Sequence, residues 1–144
     1  MKNLSLEESA KNHFEAIKNK RIEEIINSYI ALEDLLVFVE GPRWATVGFE
    51  NVSKGWHDFI ASAISLEKCE WVEHLTSKIV GEMGFVAGIV ELTVNIKGET
   101  KTIRFRGTFV WEKDAHEGNW KIIHEHFSQP AEDPYGIGDW LKKD

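Results

Sequence analysis

The sequence predicts an α+β domain in which three N-terminal helices lie on a curved antiparallel sheet built by the C-terminal half. Three observations predict it. Apolar residues recur at helical spacing through the first part of the chain, as far as Ile64. From Lys68 onward the apolar period changes to two. The long β segments that follow are joined by short, glycine-containing separators, as antiparallel hairpins are. Helices first and strands later is the order of α+β architecture, not of alternating α/β.

Each element has a local reason. Ser5-Leu6-Glu7-Glu8 has the pattern of a capping box, in which the serine accepts from an early backbone N–H and Glu8 reaches back. Leu6, Ala10, Phe14 and Ile17 then form a helical stripe, interrupted at Asn19-Lys20. Ile22, Ile25, Ile26, Tyr29 and Ile30 form a second, shorter one. Leu35 to Val39 is a β-type run stopped by Glu40-Gly41-Pro42, and residues Arg43 to Phe49 read as a short strand and turn. Val52, Trp56, Phe59, Ile60, Ala63 and Ile64 make a third amphipathic helix, with Ser53 as its cap. Four β segments follow: Lys68–Val80, Phe85–Lys97, Lys101–Lys113 and Asn119–Ser128. Past Pro130, the residues Ile137, Trp140 and Leu141 offer apolar anchors for the C-terminus.

Residues 1–144 fit one domain, long enough to close a core. An apolar fraction of 42% with 28% charged residues is ordinary for a globular chain. The net charge of −7, from 24 acidic and 17 basic residues, argues against nucleic acid or an anionic membrane as partner, since both need a basic face. The single cysteine, Cys69, cannot form an intrachain disulfide and fits a reducing compartment. The polar start lacks the apolar segment of a signal peptide, and no window is apolar enough to span a membrane. A cytoplasmic location is expected.

The ending Arg106-Gly107-Thr108-Phe109-Val110-Trp111, then Gly118-Asn119-Trp120-Lys121-Ile122-Ile123-His124-Glu125-His126-Phe127-Ser128, is specific. With the element order, it resembles the NTF2-like superfamily, in its SnoaL-like and ketosteroid-isomerase-like branch. It is also similar to the association domain of calmodulin-dependent kinase. The resemblance implies a cone whose concave face and helices enclose a pocket. It also implies a homodimer paired through the convex face. A shared fold does not imply a shared reaction.

Strand alternation places Ile103, Phe105, Gly107, Phe109 and Trp111 on the face toward the helices, as pocket lining or plain core. On the family ending, Ile123, Glu125 and Phe127 fall on that same concave side. Arg106, Thr108, His124 and His126 fall on the convex side and are the expected dimer contact. The resemblance also puts Trp44 and Trp56 at the pocket mouth. An apolar pocket of Tyr29, Phe38, Trp44, Trp56, Phe109 and Trp111 is therefore expected to hold a hydrophobic small molecule.

Glu91 is the one carboxylate in the apolar run Ile89-Val90-Glu91-Leu92. In an apolar cavity its pKa would rise, since burial disfavours the charged form, and it would serve as a general acid or base. Glu125 is its candidate helper. The competing reading puts Glu91 on the dimer face or in a pair with Arg104 or Arg106. In the association domain, positions matching Phe109 and Phe127 carry ligand-binding arginines, so that chemistry is not carried over. The isomerases place an aspartate directly before proline, where this chain has Gly41; Glu40 is one residue early and on the other face. His124-Glu125-His126 has the spacing of a metal pair, but the neighbouring Arg106 would repel a cation, and an interface pair is the better reading. The other histidines, His13 among them, carry little signal.

Two functions compete. One is a SnoaL-like protein that binds or converts a small molecule by cofactor-free proton transfer, as an isomerase, cyclase or dehydratase does. The alternative is a non-catalytic homodimeric association or ligand-sensing module. An open cavity of several hundred Å³ with a carboxylate at its wall favours the first; a pocket packed shut favours the second.

Overall fold

The computed structural model describes residues 4–39, 41–139 and 141. Helix α1 (Leu6–Lys18) opens on the expected capping box: the Ser5 hydroxyl accepts from Glu8 N–H at 3.2 Å, and the Glu8 carboxylate accepts from Ser5 N–H at 2.9 Å. The helix buries Leu6, Ala10, His13, Phe14, Ala16 and Ile17. It ends where Lys20 turns into the left-handed region at φ 54°. Helix α2 (Ile22–Asn27) is one short segment anchored by fully buried Ile25.

Strand β1 (Leu36–Phe38) and strand β2 (Thr46–Val47) form a small antiparallel pair. Helix α3 (Phe49–Ala61) follows at once. It begins four residues before Ser53, at a Gly48 cap with φ 93°; Ser53 lies inside the helix with its hydroxyl buried. A Cβ on Gly48 would come within 3.1 Å of the Glu33 carbonyl, so glycine fits both the conformation and the space. Ile64, expected as the last turn of this helix, instead starts strand β3 (Ile64–Val80). Strands β4 (Met83–Ile96), β5 (Glu99–Lys113) and β6 (Trp120–Ser128) complete a six-stranded sheet of order β2-β1-β6-β5-β4-β3.

The sheet is antiparallel except where β1 runs parallel to β6, tying the helical half to the end of the chain. It is curved and unclosed. The curvature has an identifiable source: β3 carries register irregularities against β4 at three places, between Leu66 and Lys68, Trp71 and Glu73, and Glu73 and Thr76. Each extra residue bends the strand that carries it. Gly88 lies under that bend, where a Cβ would meet the Trp71 ring at 3.0 Å and the Glu73 carbonyl at 3.1 Å.

The helix-covered face holds the core. Phe109 is its hub, with ring centroids of His13, Phe14, Trp71, Trp111 and Phe127 between 5.3 and 6.1 Å away. Phe109 and Trp111 are each 1% exposed, so of the two expected roles the packed core is the one observed.

The register of β6 differs from the simple alternation. Val110 pairs with His124 but Trp111 pairs with Ile122, so Ile123 is an extra residue. Ile122, not Ile123, is therefore the buried neighbour, while Glu125 and Phe127 keep the helix-covered side. At the C-terminus, Ile137 and Leu141 are exposed and not docked. Glu40 and Trp140 lie outside the described residues.

Candidate functional site

Glu125 sits on the helix-covered side of β6 and is only 4% exposed. A buried carboxylate needs partners, because an uncompensated charge in a protein interior is costly. The fold supplies one from far along the chain. Tyr29 follows α2 and pairs with β6: Ile122 N–H donates to the Ser28 carbonyl at 2.7 Å, and Ile30 N–H to the Ile122 carbonyl at 3.0 Å. That pairing fixes Tyr29 beside the strand that carries Glu125, and its hydroxyl donates a short hydrogen bond to Glu125 Oε1.

The Tyr29 oxygen has one proton and two acceptor sites. The proton goes to Glu125. Trp56 Nε1–H, from α3, donates to the oxygen at 3.1 Å. His13 Nε2, from α1, lies 3.5 Å from the same oxygen, and the other ring nitrogen, Nδ1, is buried with no hydrogen bond among the described residues. Burial lowers the His13 pKa from 6.5 to about 3, by penalising the imidazolium. His13 is therefore a neutral, positioning group. Three helices and the last strand thus converge on one phenol oxygen and one carboxylate.

These groups border a cavity of about 570 Å³ between α3, the β1–β2 pair and β6. That volume is typical of small-molecule sites. Tyr29, Trp56 and Glu125 line its inner end. Val37, Ala45, Val52 and Phe59 are among its apolar walls; Val39, Arg43 and Val47 are at its solvent-exposed rim. Charged Lys54 and Asp58 also border it, and bond to each other at 2.8 Å.

The composition of this cavity differs from the expected aromatic pocket. Of its six expected residues, Tyr29 and Trp56 line the space. Phe109 and Trp111 are sealed in the core. Trp44 is 96% exposed, although its neighbours Arg43 and Ala45 border the cavity. Phe38 is on the other face, against the rings of His124 and His126 at 5.2 and 5.3 Å. Its register with His126 explains this, since Val37 is the β1 residue that shares a side with Glu125.

Glu91 also differs from expectation. It projects from the opposite face to Val90 and Leu92, and pairs across the sheet with Arg104. Lys68 Nζ donates to it at 2.5 Å and Arg104 Nε at 3.0 Å, and Arg104 extends the network to Glu73 at 3.3 Å. The Lys68 bond first, and the Arg104 bond second, hold the Glu91 pKa below the ordinary carboxylate range. The raised pKa of an apolar cavity is replaced by the opposite shift. The paired reading of Glu91 is the one observed.

On that same face, Arg106 donates to the Ser128 hydroxyl and the Gln129 carbonyl, both at 3.1 Å. His124 Nδ1 lies 2.7 Å from the Leu36 carbonyl, and Thr108 and His126 are register partners. The four residues expected at a subunit contact therefore share one face, away from the cavity.

His13, Val37, Arg43 and Thr46 were not singled out from the sequence. His13 had a signal: it lies three residues after Ala10 and seven after Leu6, on the buried stripe of α1. Arg43 and Thr46 had none: only the β2-β1-β6 pairing sets Thr46 in one row with Glu125, and Arg43 borders the same cavity.

Three solved structures are similar over most of their length. One is a nuclear transport factor 2-like superfamily protein from Salmonella enterica serovar Typhimurium: TM-score 0.74, 17% identity, 92% of this chain and 93% of that one. Another is a ketosteroid isomerase-like protein from Erwinia carotovora: TM-score 0.70, 18% identity, 88% and 95% covered. The third, from Xanthomonas campestris, is named for the calcium/calmodulin-dependent protein kinase II association domain: TM-score 0.69, 19% identity, 85% and 83% covered. At these identities they establish the NTF2-like fold. The sequence profile of the SnoaL-like domain matches residues 7–132, and the chain belongs to that family. No curated protein is significantly similar in sequence. No helix among the described residues is long and apolar enough to cross a membrane.

Proposed function

We propose that this SnoaL-like protein binds a small, largely apolar molecule in the 570 Å³ cavity and transfers a proton to or from it through Glu125. The observation that supports this reading is a buried carboxylate at the wall of a cavity, oriented by a tyrosine that is itself held by Trp56 and His13. A general base must be within reach of the proton it takes and must be held in place. Isomerisation, cyclisation and dehydration share such a step, and the step itself needs no cofactor. Glu91, bound to two cations on the far face, is replaced by Glu125 as the proton-transfer group.

The test begins with a thermal-shift screen, since a ligand bound only by the folded state raises apparent stability. For any compound that is turned over, Glu125→Gln keeps the acceptor for Tyr29 but cannot take a proton. Turnover should fall at least ~100-fold, the usual scale of general acid–base catalysis, with folding unchanged. Unchanged turnover would rule Glu125 out.

The sheet face that carries Arg106, Thr108, His124 and His126 supports a homodimer in this reading, with the two cavities left on the outer sides. Sedimentation of wild type and Arg106→Glu tests it. A monomer in both cases removes the proposed dimer; a dimer unaffected by the substitution removes this face from it.

A further inference from the structure

Glu125, Val37 and Thr46 form one row across the sheet. Val37 pairs with Glu125 on one side and with Thr46 on the other, and all three line the cavity. Two inter-strand steps separate the ends of the row, a backbone distance of about 10 Å. The row therefore reads acceptor, apolar floor, donor. A cavity of 570 Å³ is itself roughly 10 Å across if taken as a sphere, so one molecule can reach both ends.

A census of the side-chain donors on the cavity wall narrows what that molecule is. Asn51 gives its amide to the Val47 carbonyl at 2.8 Å, Lys54 is held by Asp58, Trp56 by Tyr29, and Tyr29 by Glu125. The Arg43 guanidinium and the Thr46 hydroxyl have no side-chain hydrogen bond or ion pair among the described residues. Thr46 ends the row opposite Glu125, and Arg43, three residues before it, lies at the exposed rim of the same cavity. A guanidinium offers paired N–H donors that match a carboxylate, and a threonine hydroxyl adds a third.

We propose that the ligand is an elongated organic anion. Its hydrogen-bond donor or acidic C–H end meets Glu125, its apolar body lies over Val37, and its carboxylate meets Arg43 and Thr46. This rests on the proposed function and adds the ligand's chemical class and its orientation. Arg43 and Thr46 become specificity-determining residues. Charge placed this way also keeps the ligand's negative end away from Glu125.

Three probes test the assignment by calorimetric titration at 0.15 M and 0.5 M salt: 2-naphthol, 2-naphthoate and 6-hydroxy-2-naphthoate. The hydroxy acid should bind roughly 5- to 10-fold more tightly than 2-naphthol at the lower salt, the scale of one charge-assisted bond at a partly exposed site. The gain should shrink at the higher salt. Arg43→Gln combined with Thr46→Val should erase the gain while leaving 2-naphthol affinity unchanged. Glu125→Gln should instead weaken 2-naphthol and the hydroxy acid by a similar factor and spare 2-naphthoate. Equal affinity for the hydroxy acid and 2-naphthol, or a double variant that weakens both alike, overturns the anion assignment and leaves the proposed function standing. Failure of all three probes to bind at millimolar concentration overturns both.

Discussion

Lowering the pH from 7.5 to 5.0 should cost this protein about 2 kcal/mol of stability through His13 alone. The imidazole is 1% exposed, and burial holds its folded-state pKa near 3, against an ordinary value of 6.5. Between those values the unfolded chain binds a proton that the folded chain refuses. The unfolded state therefore binds more protons, and stability rises with pH. The contribution is complete above about pH 6.5 and is lost as pH falls toward 3. At pH 5.0 the unfolded imidazole is 1.5 units below its pKa, and RT ln(1 + 10^1.5) is ~2 kcal/mol; at pH 7.5 the same expression is below ~0.1 kcal/mol. The assay is urea denaturation at half-unit pH steps for wild type and His13→Leu. With a slope of ~2 kcal/mol per M urea, the wild-type midpoint should fall by about 1 M over the range. The leucine variant should lose most of that dependence, whatever its absolute stability at pH 7.5. Parallel pH profiles for the two proteins would show that His13 titrates in the folded state. The lowering of the His13 pKa by burial would then be wrong.

Three further outcomes follow from the same geometry. Tyr29→Phe leaves buried Glu125 and Trp56 Nε1–H without the oxygen between them, and should destabilise by about 1–3 kcal/mol in urea melts. Glu91→Gln should leave ligand binding and turnover unchanged, because Glu91 is on the opposite face. It should also remove an acid-sensitive contribution, since a lowered carboxylate pKa gives stability that is lost as pH falls below 4.5; melts at pH 7 and pH 3.5 check this. Gly88→Ala presses a methyl onto the backbone of the β3 bend, and should cost about 1–3 kcal/mol. Gly107→Ala, whose close neighbours are side-chain atoms of Phe127 and Val90 and not backbone, should cost less when the two variants are compared in urea melts.

The sequence by itself determined the element order, the capping box at Ser5, the hairpins, the inward set Phe105–Phe109–Trp111 and the family ending. These depend on local periodicity, caps and turns, which act within a few residues. The position of Glu125 on the cavity side was legible too, because the resemblance of the chain's ending to the family placed it on the concave face. Only the tertiary structure decided the partners of these groups. Glu91 looked like a lone carboxylate in an apolar run, yet Lys68 and Arg104 reach it from adjacent strands 23 and 13 residues away. Phe38 and Val37 differ by one position, and which of them meets the cavity depends on the parallel pairing of β1 with β6. Tyr29 reaches Glu125 across 96 residues, and Thr46 joins their row through two strand pairings. The Ile123 bulge reverses the alternation of β6, so that Trp120 and Ile122 share the buried side with Glu125. The physical reason is common to all of these. Periodicity sets which face a side chain takes, whereas register and bulges set which distant side chain it meets there.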